Sequence, residues 1–278
     1  MTHRPDQEPD APPGPHPQRP RILLTNDDGI RAEGIAAMYR QLVRFGEIRV
    51  VAPETVQSAT GHGVTLHNPL LTKKVPLADT DAVGTAVEGR PADCVKLAIS
   101  QLTPDVDLVV SGINMGANVG VDVFYSGTVA AAVEGAFLGK PAIAVSHHLT
   151  ERVETSHDWA AELAVRVIER LWRGGEPRAG QVINLNIPAL EPGEEPAGVK
   201  VVPQCIQPWS DAYEKRLDPS GREYYWNTAK FSLARSEGEN DVVGLRDRYI
   251  TLTPLHFDLT AHERLDNLRH ALASNEGR

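Results

Sequence analysis

The sequence predicts an α/β protein on a doubly wound, mostly parallel sheet, Rossmann-like and three-layered, with a β-hairpin arm projecting from its C-terminal part. Three observations carry this prediction. Short runs rich in Val, Ile and Leu recur without strict polar alternation, as in strands covered on both faces. Stretches with helical apolar spacing separate them. The first run, Arg21-Ile-Leu-Leu-Thr-Asn-Asp-Asp-Gly29, ends in acids and a turn glycine, where open parallel sheets place ligands.

Residues 1 to about 20 are rich in proline and polar side chains and nearly free of large apolar ones. Such a segment cannot offset its ordering entropy by burial, so a disordered tail is expected there. Strands are expected at Ile22–Leu24, Ile48–Ala52, Leu108–Ser111, Ile143–Ser146 and Val182–Ile187. Ile35, Met38, Tyr39, Leu42 and Val43 mark a helix ending before Gly46. Val95, Ala98, Ile99 and Leu102 mark another, opened by Pro91 at a favoured first-turn position. An alanine-rich helix runs from Thr128 to Leu138, and Trp159, Leu163, Val167 and Leu171 mark a fourth. This alternation implies a doubly wound α/β core over residues 21–190.

Residues 191–278 read differently. Helical period is lost from Val199 to about Ser236, and Asp218-Pro-Ser-Gly221 is a turn signature between segments carrying Trp209, Tyr213, Tyr224, Tyr225 and Trp226. Aromatic residues on a projecting hairpin imply a protein contact, most simply a homodimer, the alternative being that they fold back on their own domain. Tyr249 to Leu255 is a return strand, followed by the C-terminal segment.

The bulk numbers narrow the function. A chain of 278 residues with 41% hydrophobic residues has ample material for a large core. A net charge of −9 argues against a nucleic-acid polymer as the main partner but not against small phosphate ligands. Cys94 and Cys205 are too few for a disulfide framework or a zinc site, and Cys94 reads as core. No apolar run reaches membrane-spanning length and the N-terminus has no signal-peptide pattern, so a cytoplasmic, membrane-free protein is expected.

The chemistry gathers at the strand ends. Asp27 and Asp28 repel each other unless a cation neutralises them, and an all-oxygen site suits Mg²⁺ or Mn²⁺. One acid can cap the helix that follows, but a cap needs only one. Loops after later strands share that edge: Ala52 to Gly63 with Ser58, and Gly112 to Gly120 with Asn114 and Asn118. Ser126-Gly127-Thr128 opens the alanine-rich helix, where free N–H groups, the positive dipole end and two hydroxyls suit a phosphate without any basic residue. Neither the Gly-Lys-Thr phosphate loop nor the dinucleotide glycine pattern is present, which argues against NTP hydrolysis and nicotinamide chemistry.

Leu24-Thr-Asn-Asp-Asp-Gly29, Ser111-Gly-Ile-Asn-Met-Gly-Ala-Asn-Val-Gly120 and Tyr125-Ser-Gly-Thr-Val-Ala-Ala-Ala132 closely resemble the SurE (survival protein E) family of nucleotidases. Val51-Ala-Pro53, Pro91-Ala-Asp-Cys-Val95, Asn184-Leu-Asn-Ile-Pro188, Asp218 to Trp226 and Ile250 to Leu255 extend the resemblance to about Thr260, in the family's order. The resemblance implies a phosphatase with one divalent metal ion, acting on nucleoside 5′- and 3′-monophosphates, with polyphosphate a further substrate in some members. It implies metal ligands at Asp27, Asp28, Ser58 and Asn114, with catalysis at the two aspartates, and a homodimer or homotetramer built through the C-terminal arm. Asn118, Ser126, Gly127 and Thr128 are then expected to bind phosphate. Arg90 stands where the family pattern has a Thr, and Gly63 where a hydroxyl residue is common.

His62, His67, His147 and His148 lie near strand ends, and surface or rim placement is expected for each. A signalling receiver domain also has paired acids after its first strand. It needs an Asp after the third strand and a Lys after the fifth, and this chain is about twice its length. A nucleotide-binding regulatory protein without turnover is the alternative that keeps the same phosphate site.

Overall fold

A computed structural model of the chain describes residues 16–207, 212–228 and 236–273. The first 15 residues of the expected tail, and Trp209, lie outside the described residues.

The strands are β1 (Arg21–Thr25), β2 (Glu47–Pro53), β3 (Thr72–Pro76), β4 (Val83–Val87), β5 (Leu108–Met115), β6 (Ala142–His147), β7 (Val182–Ile187), β8 (Val199–Val201), β9 (Tyr213–Leu217), β10 (Glu223–Asn227) and β11 (Ile250–Leu255). Nine of them form one sheet in the order β3-β4-β2-β1-β5-β6-β7-β11-β8. From β4 through β7 neighbouring strands are parallel, while β3 and β11 run antiparallel to β4 and β7. The chain builds outward from β1 through β2 and β4, then crosses to β5 on the other side. The crevice between β1 and β5 is therefore the topological switch point.

Side-chain alternation along the buried strands divides the core. Ile22 and Leu24 of β1 join one apolar cluster, with helices α1 (Glu33–Leu42) and α4 (His157–Arg173). Leu23 faces the opposite cluster, with α2 (Pro91–Leu97) and α3 (Gly127–Phe137). Burying both faces explains why these strands read as continuous apolar runs. Cys94 is packed in the second cluster, where burial pushes its thiol pKa up.

The expected strands and helices are present. Three further strands lie at the edges: β3 and β4 on one side, where Thr72–Pro76 is mostly polar and exposed and Val83–Val87 contains Gly84, and the three-residue β8 beside β11 on the other. A short helix, α5 (Asp241–Arg246), precedes β11, and β11 inserts beside β7, so the C-terminal region completes the main sheet. The hairpin β9–β10 is fully exposed, and its turn is tied by Asp218 Oδ1 accepting from Ser220 N–H and Arg222 N–H at 2.8 and 2.9 Å. No helix among the described residues is long and apolar enough to cross a membrane.

Candidate functional site

The end of β1 delivers both acids to the switch point. Asn26 Nδ2 donates to the Gly29 carbonyl at 2.9 Å, and Gly29 takes φ +94°, so the chain turns sharply just past them. Asp27 is buried, and its Oδ1 accepts from Thr128 Oγ1. A Cβ built on Gly127 would lie 2.8 Å from Asp27 Cβ and 3.0 Å from Oδ2, so only glycine lets the start of α3 press against this carboxylate. Asp28 is half-buried and accepts from Met115 N–H at 3.2 Å, which fixes Asn114 beside it at the end of β5. Asn114 Nδ2 donates to the Gly116 carbonyl at 2.8 Å, leaving its carboxamide oxygen as the group to ligate a cation. Gln57 N–H donates to the Asp27 carbonyl at 2.8 Å, and exposed Ser58 is the next residue.

Burial pushes the Asp27 pKa up to about 6; the Thr128 hydroxyl opposes this and the neighbouring Asp28 charge adds to it. Burial also raises Asp28, against the Met115 N–H and the charge of His157. Among the described residues neither carboxylate forms an ion pair with Lys or Arg, and no group of three or more His, Cys, Asp and Glu is placed to hold a metal. The available donors are two adjacent carboxylates with an amide oxygen and a hydroxyl close by. That all-oxygen set fits a hard divalent cation such as Mg²⁺ or Mn²⁺ and does not fit zinc.

At α3, Ser126 is the N-cap, its Oγ accepting from Val129 N–H at 3.1 Å. The Thr128 hydroxyl is given to Asp27, so both expected phosphate-facing hydroxyls have protein partners of their own. The N–H groups of the first turn still point out of the helix beside the acids. Asn118 is buried and clamped: its N–H donates to Asn186 Oδ1 at 2.9 Å, its carbonyl accepts from Asn184 Nδ2 at 2.7 Å, and its Nδ2 donates to Ser146 Oγ at 2.8 Å. It anchors the glycine- and asparagine-rich loop.

Three supporting residues have roles that the sequence motifs alone do not assign. Asn184 and Asn186 alternate on the buried strand β7, and two asparagines in such a strand signal partners that must be found. Asp241, fully buried on α5, accepts from Gly120 N–H and Cys205 N–H, each at 2.8 Å, tying the loop's end to the C-terminal region. Nothing local in the sequence marks that contact across 121 positions.

The histidines separate. His67 is exposed, and His62 pairs with Glu134 of α3 at 2.8 Å. His148 is half-buried. His147 corrects the rim expectation: it is 2% exposed, and burial lowers its pKa to about 4, so it is a neutral imidazole, edge-on to His157 at 5.9 Å.

The family model described as "Survival protein SurE" matches residues 22–211. The chain is 47% identical to the 5′-nucleotidase SurE of Rhodopirellula baltica over 253 residues, covering 90% of this chain and 97% of that one. It is 44% identical to the 5′-nucleotidase SurE of Alkaliphilus metalliredigens over 252 residues, 90% of this chain and 98% of that one. The crystal structure of the SurE protein from Aquifex aeolicus superposes with a TM-score of 0.78 at 36% identity, over 91% of this chain and 99% of that one.

Proposed function

The chain belongs to the SurE family, and from that premise we propose that it is a divalent-metal-dependent 5′-nucleotidase that hydrolyses nucleoside 5′- and 3′-monophosphates to nucleoside and phosphate. One observation carries the reading: the helix start suited to a phosphate is in direct contact with the buried acid of the pair, through Thr128 Oγ1 and the bare backbone of Gly127. An anion-binding element and a cation-binding element meet at one point of the switch crevice.

Asp27, Asp28, Asn114 and Ser58 would hold the cation. Bound there, it would neutralise the carboxylates and supply Lewis-acid activation of a phosphoryl oxygen and of a water. The protein's own groups do the rest. Gly127 and Thr128 present first-turn N–H groups to the phosphate oxygens, and Ser126 fixes that turn. Asn118 holds the preceding loop in register with them. Asp27 and Asp28 are the groups placed to orient the attacking water or take its proton. The Asp218-to-Trp226 hairpin supports assembly into a homodimer or homotetramer, and the two buried free thiols suit a reducing, cytoplasmic setting.

The test is phosphate release from 5′- and 3′-AMP with Mn²⁺, Mg²⁺ or EDTA, beside Asp27→Asn. Metal-dependent release reduced about 100-fold or more in the variant is expected. AMP binding without release from any monophosphate would replace hydrolysis by the regulatory reading.

A further inference from the structure

An arginine, Arg90, stands at the C-terminal end of β4, on the same edge of the sheet as the two aspartates. Arg90 lies between β4 and α2, and its backbone N–H is taken by Asp93 at 2.9 Å. Its exposed guanidinium makes no ion pair and no hydrogen bond among the described residues. Most exposed arginines sweep freely over the surface, but this one has a seat. A Cβ built on Gly63 would fall 1.7 Å from Arg90 Nη1, 2.9 Å from Cζ and 3.2 Å from Cδ. The arginine therefore passes directly over the Gly63 backbone, and any side chain at position 63 would evict it. Gly63 does not adopt a left-handed conformation, so space, and not backbone freedom, is what glycine supplies here.

The backbone beneath Arg90 lies in the segment that leads from β2 to β3. It ends the loop that carries Ser58. Gly61 N–H donates to the Tyr125 carbonyl at 3.0 Å, one residue before the cap of α3. Thr65 donates to Asp93 through its N–H at 2.9 Å and its hydroxyl at 2.7 Å. Gly63 is thus strapped between the starts of α2 and α3, and the guanidinium lies over it. The site so far contains two carboxylates and neutral donors, whereas a phosphate monoester is close to a dianion at neutral pH. A guanidinium fork matches phosphate oxygens in charge and shape.

We infer that Arg90 is a substrate-binding residue for the phosphate group of the monoester, and that Gly63 is the seat that holds it there. This rests on the phosphomonoesterase reading and adds to it the site's cationic side chain.

The test measures AMP and inorganic phosphate binding by calorimetry with Mn²⁺ present, alongside turnover, for the wild type, Arg90→Ala, Arg90→Lys, Gly63→Ala and the double alanine variant. Arg90→Ala should weaken both ligands about tenfold, with KM rising by more than kcat falls. Arg90→Lys should recover part of the loss. Gly63→Ala should weaken binding like Arg90→Ala, and the double variant should be no weaker than Arg90→Ala alone, because the evicted group is already gone. Wild-type affinity in Arg90→Ala would overturn the inference, and additive losses in the double variant would overturn the seat. If Gly63→Ala does not fold, the two Arg90 variants decide. An inactive wild type that binds AMP through Arg90 would sink hydrolysis and leave this inference standing; an active enzyme indifferent to Arg90→Ala would do the reverse.

Discussion

Asp27 is held between two opposing demands. Burial and the Asp28 charge push its pKa from 3.8 to about 6, so between those values the folded chain binds a proton that the unfolded chain has lost. Metal-free stability from this group is therefore greatest below the unfolded value and declines as pH rises to about 6, by up to about 3 kcal/mol. Asp27→Asn removes the buried charge. We expect the variant to melt higher than the wild type in EDTA above pH 6 while losing turnover, with Mn²⁺ stabilising only the wild type. Thermal melts from pH 4.5 to 8 test this, and coincident curves in EDTA would exclude burial of the Asp27 charge as a cost. Gly127 is the second residue on which the site turns. Its missing Cβ would sit 2.8 Å from Asp27 Cβ, so Gly127→Ala must shift either the acid or the start of α3. A displacement of that size should lower kcat by about 10- to 100-fold in a protein with unchanged circular dichroism. Full activity would mean that the contact is slack.

Among the elements, the loop from Gly112 to Gly120 is positioned by segments distant in sequence. Asn184 and Asn186 of β7 hold Asn118, while Asp241 of α5 and Gln204 hold the N–H and the carbonyl of Gly120. Asp241→Ala strands two buried N–H donors, at Gly120 and Cys205, and should cost about 2–4 kcal/mol. It should also speed hydrogen exchange at Gly120 more than at Leu108–Ser111. Uniform acceleration would make Asp241 a general support and not an anchor of this loop. The elements that patterning revealed were those whose burial is two-sided or strongly amphipathic. β3 and β4 escaped it because an edge strand with polar residues and a strand built from Val83-Gly-Thr-Ala-Val87 carry little periodic signal.

For the molecule as a whole, the hairpin is the feature that stands clear of the core. Tyr213, Tyr225 and Trp226 are 63, 57 and 56% exposed, on two strands with no residue buried by their own chain. Exposed aromatics grouped on one arm suit a contact with a second protein chain. We expect the wild type to sediment as a dimer or tetramer, and the Tyr225→Ala, Trp226→Ala double variant to shift at least in part to a smaller species at micromolar concentration. An unchanged sedimentation coefficient would place the contact elsewhere.

The sequence by itself determined the parallel sheet and its covering helices, because burial on both faces imposes apolar runs that local reading detects. It also made the acid pair and the glycine-opened helix conspicuous, since doubled like charges and a helix start without side-chain bulk are local features with a direct chemical meaning. Only the tertiary structure decided that Thr128 donates to Asp27, that Asn118 is an anchor buried among asparagines, that His147 is neutral in the core, and that Arg90 lies over Gly63. Each of these is a contact between segments that the chain brings together only when the sheet closes. A side chain's charge state and partners follow from what packs against it, and that information is absent from its own stretch of sequence.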